Sequence, residues 1–365
     1  MALPSTPPAR LRVAALALAA LVPLTACSLT GGDDDTDNGT DNATGSGSAD
    51  KQVVLVTHES FFLPKKLIKS FEQEKGYDLV IRASGDAGIL TNKLVLTQGN
   101  PTGDVAFGVD NTFASRALDN DVFAPYVATL PVGAESYELP GDDDHELTPI
   151  DNGNVCVNVD QTWFDERGIA PPESLDDLAD QMYQDLFVLP GAASSSTGLA
   201  FLLATIAEYG DEWQGYWTAL MDNGAKLTAG WSDAYEVDFT QGGGHGDRPI
   251  VLSYDSSPAF TVADGASTTR ALLDTCFRQV EYAGVLTGAE DPEGAEAVVD
   301  WLLSPQVQAA LPENMYVFPV DAETELPADW ASYAVQPDDP LTLDPADIAE
   351  HRDEWLTEWS DVTSR

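Results

Sequence analysis

Aromatic, hydroxyl and carboxylate side chains are concentrated in the stretch from Lys226 to Phe260. Two clusters carry them, Trp231-Ser232-Asp233-Ala234-Tyr235 and Ser253-Tyr254-Asp255-Ser256-Ser257. Flat aromatic faces beside carboxylates and hydroxyls suit a planar, cationic ligand that forms hydrogen bonds. A second interpretation is that Trp231 and Tyr254 are core aromatics whose polar tips are hydrogen-bonded. The residue types alone leave both interpretations open.

The apolar run Ile250-Val251-Leu252 must position the second of these clusters. A short apolar run between turn residues is typical of a buried strand. The glycines Gly242-Gly243-Gly244 supply a turn before it. We therefore expect a strand that ends by delivering Tyr254 and the neighbouring serines to a cleft.

Three earlier apolar runs predict strands of a parallel sheet. They are Val53–Val56, Leu79–Ile81 and Val105–Val109, with helices predicted at about Pro64–Lys75 and Ile89–Thr97. The alternation of strand, loop and helix indicates a doubly wound α/β fold.

Polar residues follow the ends of these strands. Ligands of such sheets bind beyond the carboxyl ends of the strands. Glu59, Ser60, Asp86 and Asp110 are therefore candidate binding residues. All four are also residue types favoured as helix N-caps, so capping alone is the alternative for each of them.

A hydroxyl-rich turn, Ser194-Ser195-Ser196-Thr197-Gly198, opens a helix predicted over Leu199–Tyr209. Free N–H groups at a helix N-terminus, together with hydroxyls, suit an anion such as phosphate. Ser195 and Ser196 are candidates for that role, and a simple capping turn fits the same residues.

Composition restricts the function further. A chain of 365 residues, 43% of them hydrophobic, is long enough for two domains with a large core. A net charge of −44 with 17 Lys and Arg argues against nucleic acid as a partner, because phosphate binding needs a basic surface. The acidity allows a cationic ligand without identifying it.

The N-terminus has the features of an export signal. Arg10 and Arg12 precede the apolar run Val13–Leu24, which is too short to span a bilayer. The following Leu24-Thr25-Ala26-Cys27 resembles the lipobox of bacterial lipoproteins. We predict a signal peptide over residues 1–26, lipidation at Cys27, a disordered acidic tether over 27–50, and attachment to the outer face of the cell membrane. An ordinary secretory signal with a chance cysteine is the alternative.

The mature chain keeps two cysteines, Cys156 and Cys276, both in strand-like runs. Disulfides persist in exported proteins, so the pair predicts a bridge, with two buried free thiols as the alternative. The cysteines show no metal-binding spacing, and we expect no metal site.

Two predicted strands, Asp151–Asp160 and Cys276–Val285, carry the chain between two lobes. The first lobe is predicted to comprise residues 51–152 plus 279–365, and the second residues 153–278.

Seven segments between Val53 and Arg365 carry a family resemblance. They are THESF (57–61), DVAFGVDN (104–111), SSSTGLA (194–200), AGWSDAY (229–235), VLSYDSSPAF (251–260), VDWLLSPQVQAALPENMYVFPV (299–320) and the closing WLTEWSDVTSR. On these segments the chain resembles the thiamine-binding component of bacterial ABC importers, within the type II periplasmic-binding-protein group. The resemblance implies two hinged α/β lobes with the ligand in the cleft between them.

The resemblance also implies a ligand, a partner and a set of contacts. The ligand would be thiamine or a thiamine phosphate, bound by a monomer without a cofactor and passed to an ABC permease in the membrane. The matched positions are stacking aromatics at Trp231, Tyr254 and Tyr316, hydroxyls at Ser195 and Ser196, and carboxylates at Asp86 and Glu59. Ser60, Asp110 and Phe260 complete the predicted ligand-binding set.

The chain departs from the family pattern at several places. Tyr316 stands where the pattern has Trp, and Phe260 and His58 each stand where it has Tyr. The short loop after Phe61 lacks a Trp found in some members. These differences leave open the preference among thiamine and its phosphates.

Two other functions compete with this one. A ferric-iron, polyamine or phosphonate binding protein would share the fold. Tyr254 is followed by Asp255 rather than by the second tyrosine typical of the iron binders, although His58-Glu59 keeps an iron site open as an alternative. An anchored hydrolase would need a nucleophile motif such as G-x-S-x-G, H-E-x-x-H or S-x-x-K, which we do not find. We therefore expect a binding protein and not an enzyme.

Overall fold

The structure, a computed structural model, describes residues 51–364. The predicted signal peptide, Cys27 and the predicted tether lie outside the described residues. Across residues 51–364, no helix combines the length and apolar character needed to cross a membrane.

Strands of the described chain form one large mixed sheet and a small hairpin. They are β1 Lys51–Thr57, β2 Tyr77–Ala83, β3 Val105–Asp110, β4 Phe123–Ala124, β5 Thr148–Asp160, β6 Phe187–Pro190, β7 Lys226–Thr228, β8 Ile250–Tyr254, β9 Val262–Ala263, β10 Ala266–Ser267, β11 Thr269–Ala271, β12 Phe277–Leu286 and β13 Phe318–Pro319. The small hairpin pairs β9 with β10.

Helices cover the sheet. They are α1 Lys65–Lys75, α2 Ala87–Leu96, α3 Ala114–Leu118, α4 Gln161–Arg167, α5 Ser196–Tyr209, α6 Trp213–Asp222, α7 Pro292–Leu302, α8 Pro305–Gln308, α9 Leu311–Asn314, α10 Ala328–Ala331 and α11 Pro345–Thr363. A π-helical turn spans Asp233–Asp238.

The first three strands run parallel, and both of their faces are covered. Leu55 shares a buried cluster with Phe71 of α1 and Val298 of α7. Its neighbour Val56 shares a different cluster with Leu90 of α2. Helices on both faces explain why these strands are continuous apolar runs rather than alternating ones. The predicted α/β class is confirmed.

Two long strands join the two ends of the sheet, whose order is β2-β1-β3-β12-β5-β8-β6-β7. β12 pairs with β3 and with β5, and β5 pairs in turn with β8, all antiparallel. Both predicted crossing strands are therefore confirmed, although β5 begins at Thr148, three residues before the predicted start. The lobe boundaries stay a prediction.

A disulfide links Cys156 in β5 to Cys276, the residue before β12. The two Cα atoms lie 4.1 Å apart, and both residues are fully buried. The predicted bridge is confirmed. It closes a covalent loop across a sequence separation of 120 residues, next to the place where the long strands pair.

Replacing both cysteines tests the contribution of this bridge. The double variant Cys156→Ala, Cys276→Ala should lower the free energy of unfolding by about 4 kcal/mol, because the unfolded chain regains the freedom that the large loop had lost. Urea unfolding of the variant and of the oxidised protein measures the difference.

Unfolding the unmodified protein in reductant is the matched control, and its stability should fall to that of the double variant. Equal stability of the oxidised, reduced and variant proteins would contradict the argument.

Candidate functional site

A cavity of about 700 Å³ opens beyond the carboxyl ends of β1 and β8. The loop after β1, the start of α2 and the segment 314–317 line one part of it, and the stretch from Trp231 to Phe260 lines another. The predicted cleft beyond the strand ends is therefore present. β8 ends at Tyr254, which lines the cavity as the sequence predicted.

Trp231 and Tyr235 form a stacked pair in the cavity wall. Their ring centroids lie 4.9 Å apart, with 12° between the ring planes. The indole Nε1–H of Trp231 donates to Ser253 Oγ at 2.9 Å, and that hydroxyl lies 2.7 Å from Ser257 Oγ. The serines of the second cluster therefore fix the orientation of the Trp231 ring. A flat aromatic surface held in this way is ready to stack on a planar ligand.

The aromatic wall continues to Phe260 and Tyr316. Phe260 meets Tyr235 at 6.0 Å and Tyr316 at 5.0 Å between ring centroids, edge to face in both cases. Tyr316 has a left-handed φ of 56°, and its carbonyl oxygen accepts a hydrogen bond from Ser256 Oγ. An unfavourable backbone conformation at a cavity-lining aromatic is consistent with a functional position.

Asp86 connects the elements around the cavity. Its carboxylate accepts from Ala87 N at 2.7 Å and Ser196 N at 3.3 Å, the first residues of α2 and α5. It also accepts from Trp231 N at 2.9 Å. Gly230 permits this approach, since a Cβ there would lie 3.1 Å from Asp86 Oδ2. Asp86 therefore caps α2 and also lines the cavity, and its role in ligand binding stays a prediction.

The hydroxyl-rich turn Ser194–Gly198 has some side chains in the cavity wall and others buried behind it. Ser196 and Thr197 line the cavity. Ser196 Oγ donates to Asp110 and accepts from Gln279 Nε2 at 2.7 Å. Ser195 is fully buried, with its hydroxyl 3.0 Å from that of Thr197.

Eight residues of the predicted ligand-binding set line the cavity, and two do not. Those that line it are Glu59, Ser60, Asp86, Ser196, Trp231, Tyr254, Phe260 and Tyr316. Ser195 and Asp110 lie behind the wall, where Asp110 supports Ser196.

The cavity is acidic. Four acidic side chains line it, from Glu59, Asp86, Glu236 and Glu281, and its lining residues include no Lys or Arg. Burial, followed by the charges of Asp86, Asp233 and Glu236, raises the pKa of Glu59 above its ordinary value. Mutual repulsion among carboxylates is relieved by a cation, so the cavity favours a positively charged ligand.

Sequence reasoning missed several lining residues, among them Tyr235, Glu236 and Glu281. Tyr235 stood in the first aromatic cluster but was not assigned a role. Glu281 carried a signal that went unused, since it is an acid inside the otherwise buried strand β12. His58, which was not in the predicted ligand-binding set, also lines the cavity, and its Nε2 lies 3.5 Å from Glu281 Oε1.

A metal site is not part of this arrangement as far as residues 51–364 show. Within that range no group of three or more His, Cys, Asp or Glu side chains is placed to hold a metal ion.

Comparison with known proteins places this geometry in context. Residues 100–338 match the family described as bacterial extracellular solute-binding protein. The thiamine-binding periplasmic protein of Salmonella typhimurium is 30% identical over 303 residues, which cover 81% of this chain and 88% of that protein.

Solved structures agree with the fold. One described as a periplasmic thiamin binding protein has a TM-score of 0.76 and 28% identity, and the match covers 87% of this chain and 98% of that one. The ferric binding protein from Campylobacter jejuni has a TM-score of 0.66 at 15% identity, covering 85% and 99%, and shows the fold alone. The type II periplasmic-binding-protein fold expected from the resemblance is confirmed.

Buried carboxyl groups make the stability depend on pH. Burial raises the pKa of Asp110 to about 6, of Asp255 to about 7 and of Asp151 to about 8. The folded protein therefore holds protons that the unfolded chain gives up near pH 4, and it loses stability as pH rises through these values. The free energy of unfolding should fall between about pH 5 and about pH 8, as measured by urea unfolding at several pH values.

Repulsion among the acidic groups of a chain of net charge −44 also lowers the free energy of unfolding as pH rises. The variant Asp151→Asn separates the two effects, because it removes one buried acid and should flatten the pH dependence. A stability that rises with pH, or an equal slope in the variant, would contradict this assignment.

Proposed function

The chain belongs to the bacterial extracellular solute-binding protein family, and from this premise we propose that it captures thiamine or a thiamine phosphate and delivers it to an ABC permease. The observation that carries the proposal is the stacked pair Trp231–Tyr235 in an acidic cavity whose lining has no Lys or Arg. Thiamine joins a permanently cationic thiazolium to a planar aminopyrimidine, so both features have a counterpart in the ligand. The names of the relatives support the same ligand.

Each part of the ligand has candidate partners in the cavity. Trp231, Tyr254 and Tyr316 offer aromatic faces to the rings. Asp86 and Glu59 offer carboxylate oxygens to the amino group and the positive charge. Ser196 and Thr197, at the N-terminus of α5, would lie near the hydroxyethyl or phosphate end, where their hydroxyls and the helix N-terminus suit an anion.

We propose that the protein binds and releases its ligand unchanged, without a cofactor. Closure of the two predicted lobes would exclude water from the cavity and present both lobes to the permease. Lipidation at Cys27 and the acidic tether over 27–50 would hold a monomer at the outer face of the cell membrane. Absence of radiolabelled lipid at Cys27 in the natural host would contradict the anchor.

Calorimetric titration with thiamine, thiamine monophosphate and thiamine diphosphate tests the ligand. Tight one-to-one binding of any of the three supports the proposal, and their order reports on the contribution of Ser196 and Thr197. Absence of binding by folded, ligand-free protein would overturn it, and ferric iron and polyamines would then be titrated in the same way.

Removing the stacking surface should weaken binding. In Trp231→Ala the ligand loses a desolvated cation–π contact of about 2 kcal/mol, so Kd for thiamine should rise by more than about tenfold. The matched control is Trp355→Ala on α11, a partly buried tryptophan that does not line the cavity. An equal Kd for Trp231→Ala and wild type would remove Trp231 from the site.

Variants of Asp86 can distinguish a role in capping α2 from a role in binding the ligand. Asp86→Ala removes the N-cap of α2 and the acceptor shared by Ser196 and Trp231. Asp291→Ala removes the N-cap of α7, which accepts from Gly294 N at 3.0 Å away from the cavity. Both variants should lose about 1 kcal/mol of stability or more.

Thiamine binding should weaken only in the Asp86 variant. If both variants keep the affinity of the wild type, Asp86 is a structural cap and not a binding residue.

A further inference from the structure

Three acids lie side by side across the centre of the sheet. Glu281 in β12 is the register partner of Asp110 in β3 on one side and of Asp151 in β5 on the other. We call Asp110, Glu281 and Asp151 the acid row. Asp110 and Asp151 are fully buried, and Glu281 is 8% exposed. Like charges directly opposite each other in a sheet are destabilising, so the acid row lowers the stability of the fold when its members are ionised.

The three members differ in their hydrogen bonds. Asp110 accepts from Ser196 Oγ, from Thr112 Oγ1 at 2.8 Å and from Phe113 N at 3.2 Å. Neither carboxylate oxygen of Asp151 receives a hydrogen bond from a donor. Donors stabilise the ionised form of a carboxyl group, so Asp110 is the member best able to hold a charge.

Asp151 and Glu281 therefore act as a pair. As directly opposite residues of antiparallel strands, they place their side chains on the same face of the sheet, and a hydrogen bond between two such acids requires a proton on at least one of them. Burial, followed by the charge of Asp151, raises the pKa of Glu281 well above its ordinary value. Burial disfavours the charged form of both groups, so without a cation we expect both to hold their protons near neutral pH.

The groups that face Glu281 include little compensating positive charge. His58, after β1, lies 3.5 Å away through Nε2, an atom with no hydrogen-bond partner. Tyr254 at the end of β8 faces Glu281, and burial raises the pKa of its hydroxyl. Arg278 donates to Asn154 at 3.1 Å, and its charge acts on Asp255.

Glu281 is the member of the row that lines the cavity. Resting on the proposed function, we infer that the Glu281–Asp151 pair is a proton-linked counter-ion for the cationic ligand. When the permanent cation enters, one of the two carboxyl protons is lost to water. Asp151 keeps the other proton and donates it to the resulting carboxylate of Glu281, which balances the ligand charge. Capture of a cation is thereby coupled to release of a proton, and a neutral ligand of the same shape gains nothing from the exchange.

Thiamine titrations of the full-length protein in buffers of different ionisation enthalpy test the coupling. The observed binding enthalpy should change with buffer ionisation enthalpy in the sense of proton release near neutral pH. As the pH rises from about 6 to about 8, the Kd for thiamine should fall by up to about tenfold per pH unit, because binding releases one proton.

The possible outcomes distinguish a failure of the proton-coupling inference from a failure of the proposed thiamine binding. Binding without proton exchange, or with proton uptake, overturns the inference and leaves thiamine capture standing. Absence of binding overturns both.

Two variants distinguish a counter-ion from a structural acid. Glu281→Gln should abolish the buffer dependence and raise Kd about tenfold or more near pH 8, because the amide cannot take up the negative charge and each unit by which the cation lowers the pKa of Glu281 is worth about tenfold in Kd. Asp151→Asn should also reduce proton release. It should nevertheless keep strong binding, because an amide can donate to an ionised Glu281.

The matched control is Asp255→Asn. Asp255 is a buried acid that accepts from Asn154 Nδ2 at 2.6 Å and does not line the cavity, so the proton count should stay as in wild type. An equal loss of proton release in this control, or unchanged release in Glu281→Gln, would overturn the assignment to Glu281.

Discussion

The antiparallel pairing of β5 with β12 is the contact on which the rest of the structure depends. It joins the parallel strands β1 to β3 to the strands β6 to β8, which would otherwise belong to separate sheets. Every residue of β5 is buried, so the pairing is protected from water along its whole length. The Cys156–Cys276 disulfide reinforces it at one end. Both cavity walls are attached to parts of the sheet that this pair of strands joins.

The same pairing puts carboxyl groups where they are hardest to ionise. Neighbouring strands place Asp110, Glu281 and Asp151 in one row, and only Asp110 receives several donors. Asp255 shows the ordinary way to bury an acid, since Asn154 donates to it and Arg278 lies near. The absence of such partners at Asp151, within residues 51–364, marks the row as a place where stability is lost unless a proton or a cation is present.

Local patterns in the sequence predicted the strands and helices better than they predicted the contacts between distant segments. Continuous apolar runs identified β1 to β3, because strands covered on both faces leave no polar positions. The cysteine pair predicted the disulfide, and the aromatic clusters predicted that Trp231 and Tyr254 lie at the cavity. The acid row escaped prediction because it depends on cross-strand register between segments up to about 170 residues apart, to which no short-range periodicity responds. Ser195 and Ser196 were predicted together, although Ser195 has extended backbone just before α5 and only Ser196, the first residue of the helix, reaches the cavity.

Asp86 shows why capping a helix and lining the cavity are not separate alternatives in a sheet of this kind. Helices that follow parallel strands begin near the carboxyl edge of the sheet, so their N-termini and the ligand cavity share one region. A carboxylate that accepts from the first N–H groups of α2 and α5 must therefore lie in the cavity wall. Because it also accepts from Trp231 N, the position of the stacking ring depends on the same carboxylate that caps both helices. Any motion that separates Trp231 from α2 must break that hydrogen bond, which ties the shape of the cavity to the arrangement of the helices around it.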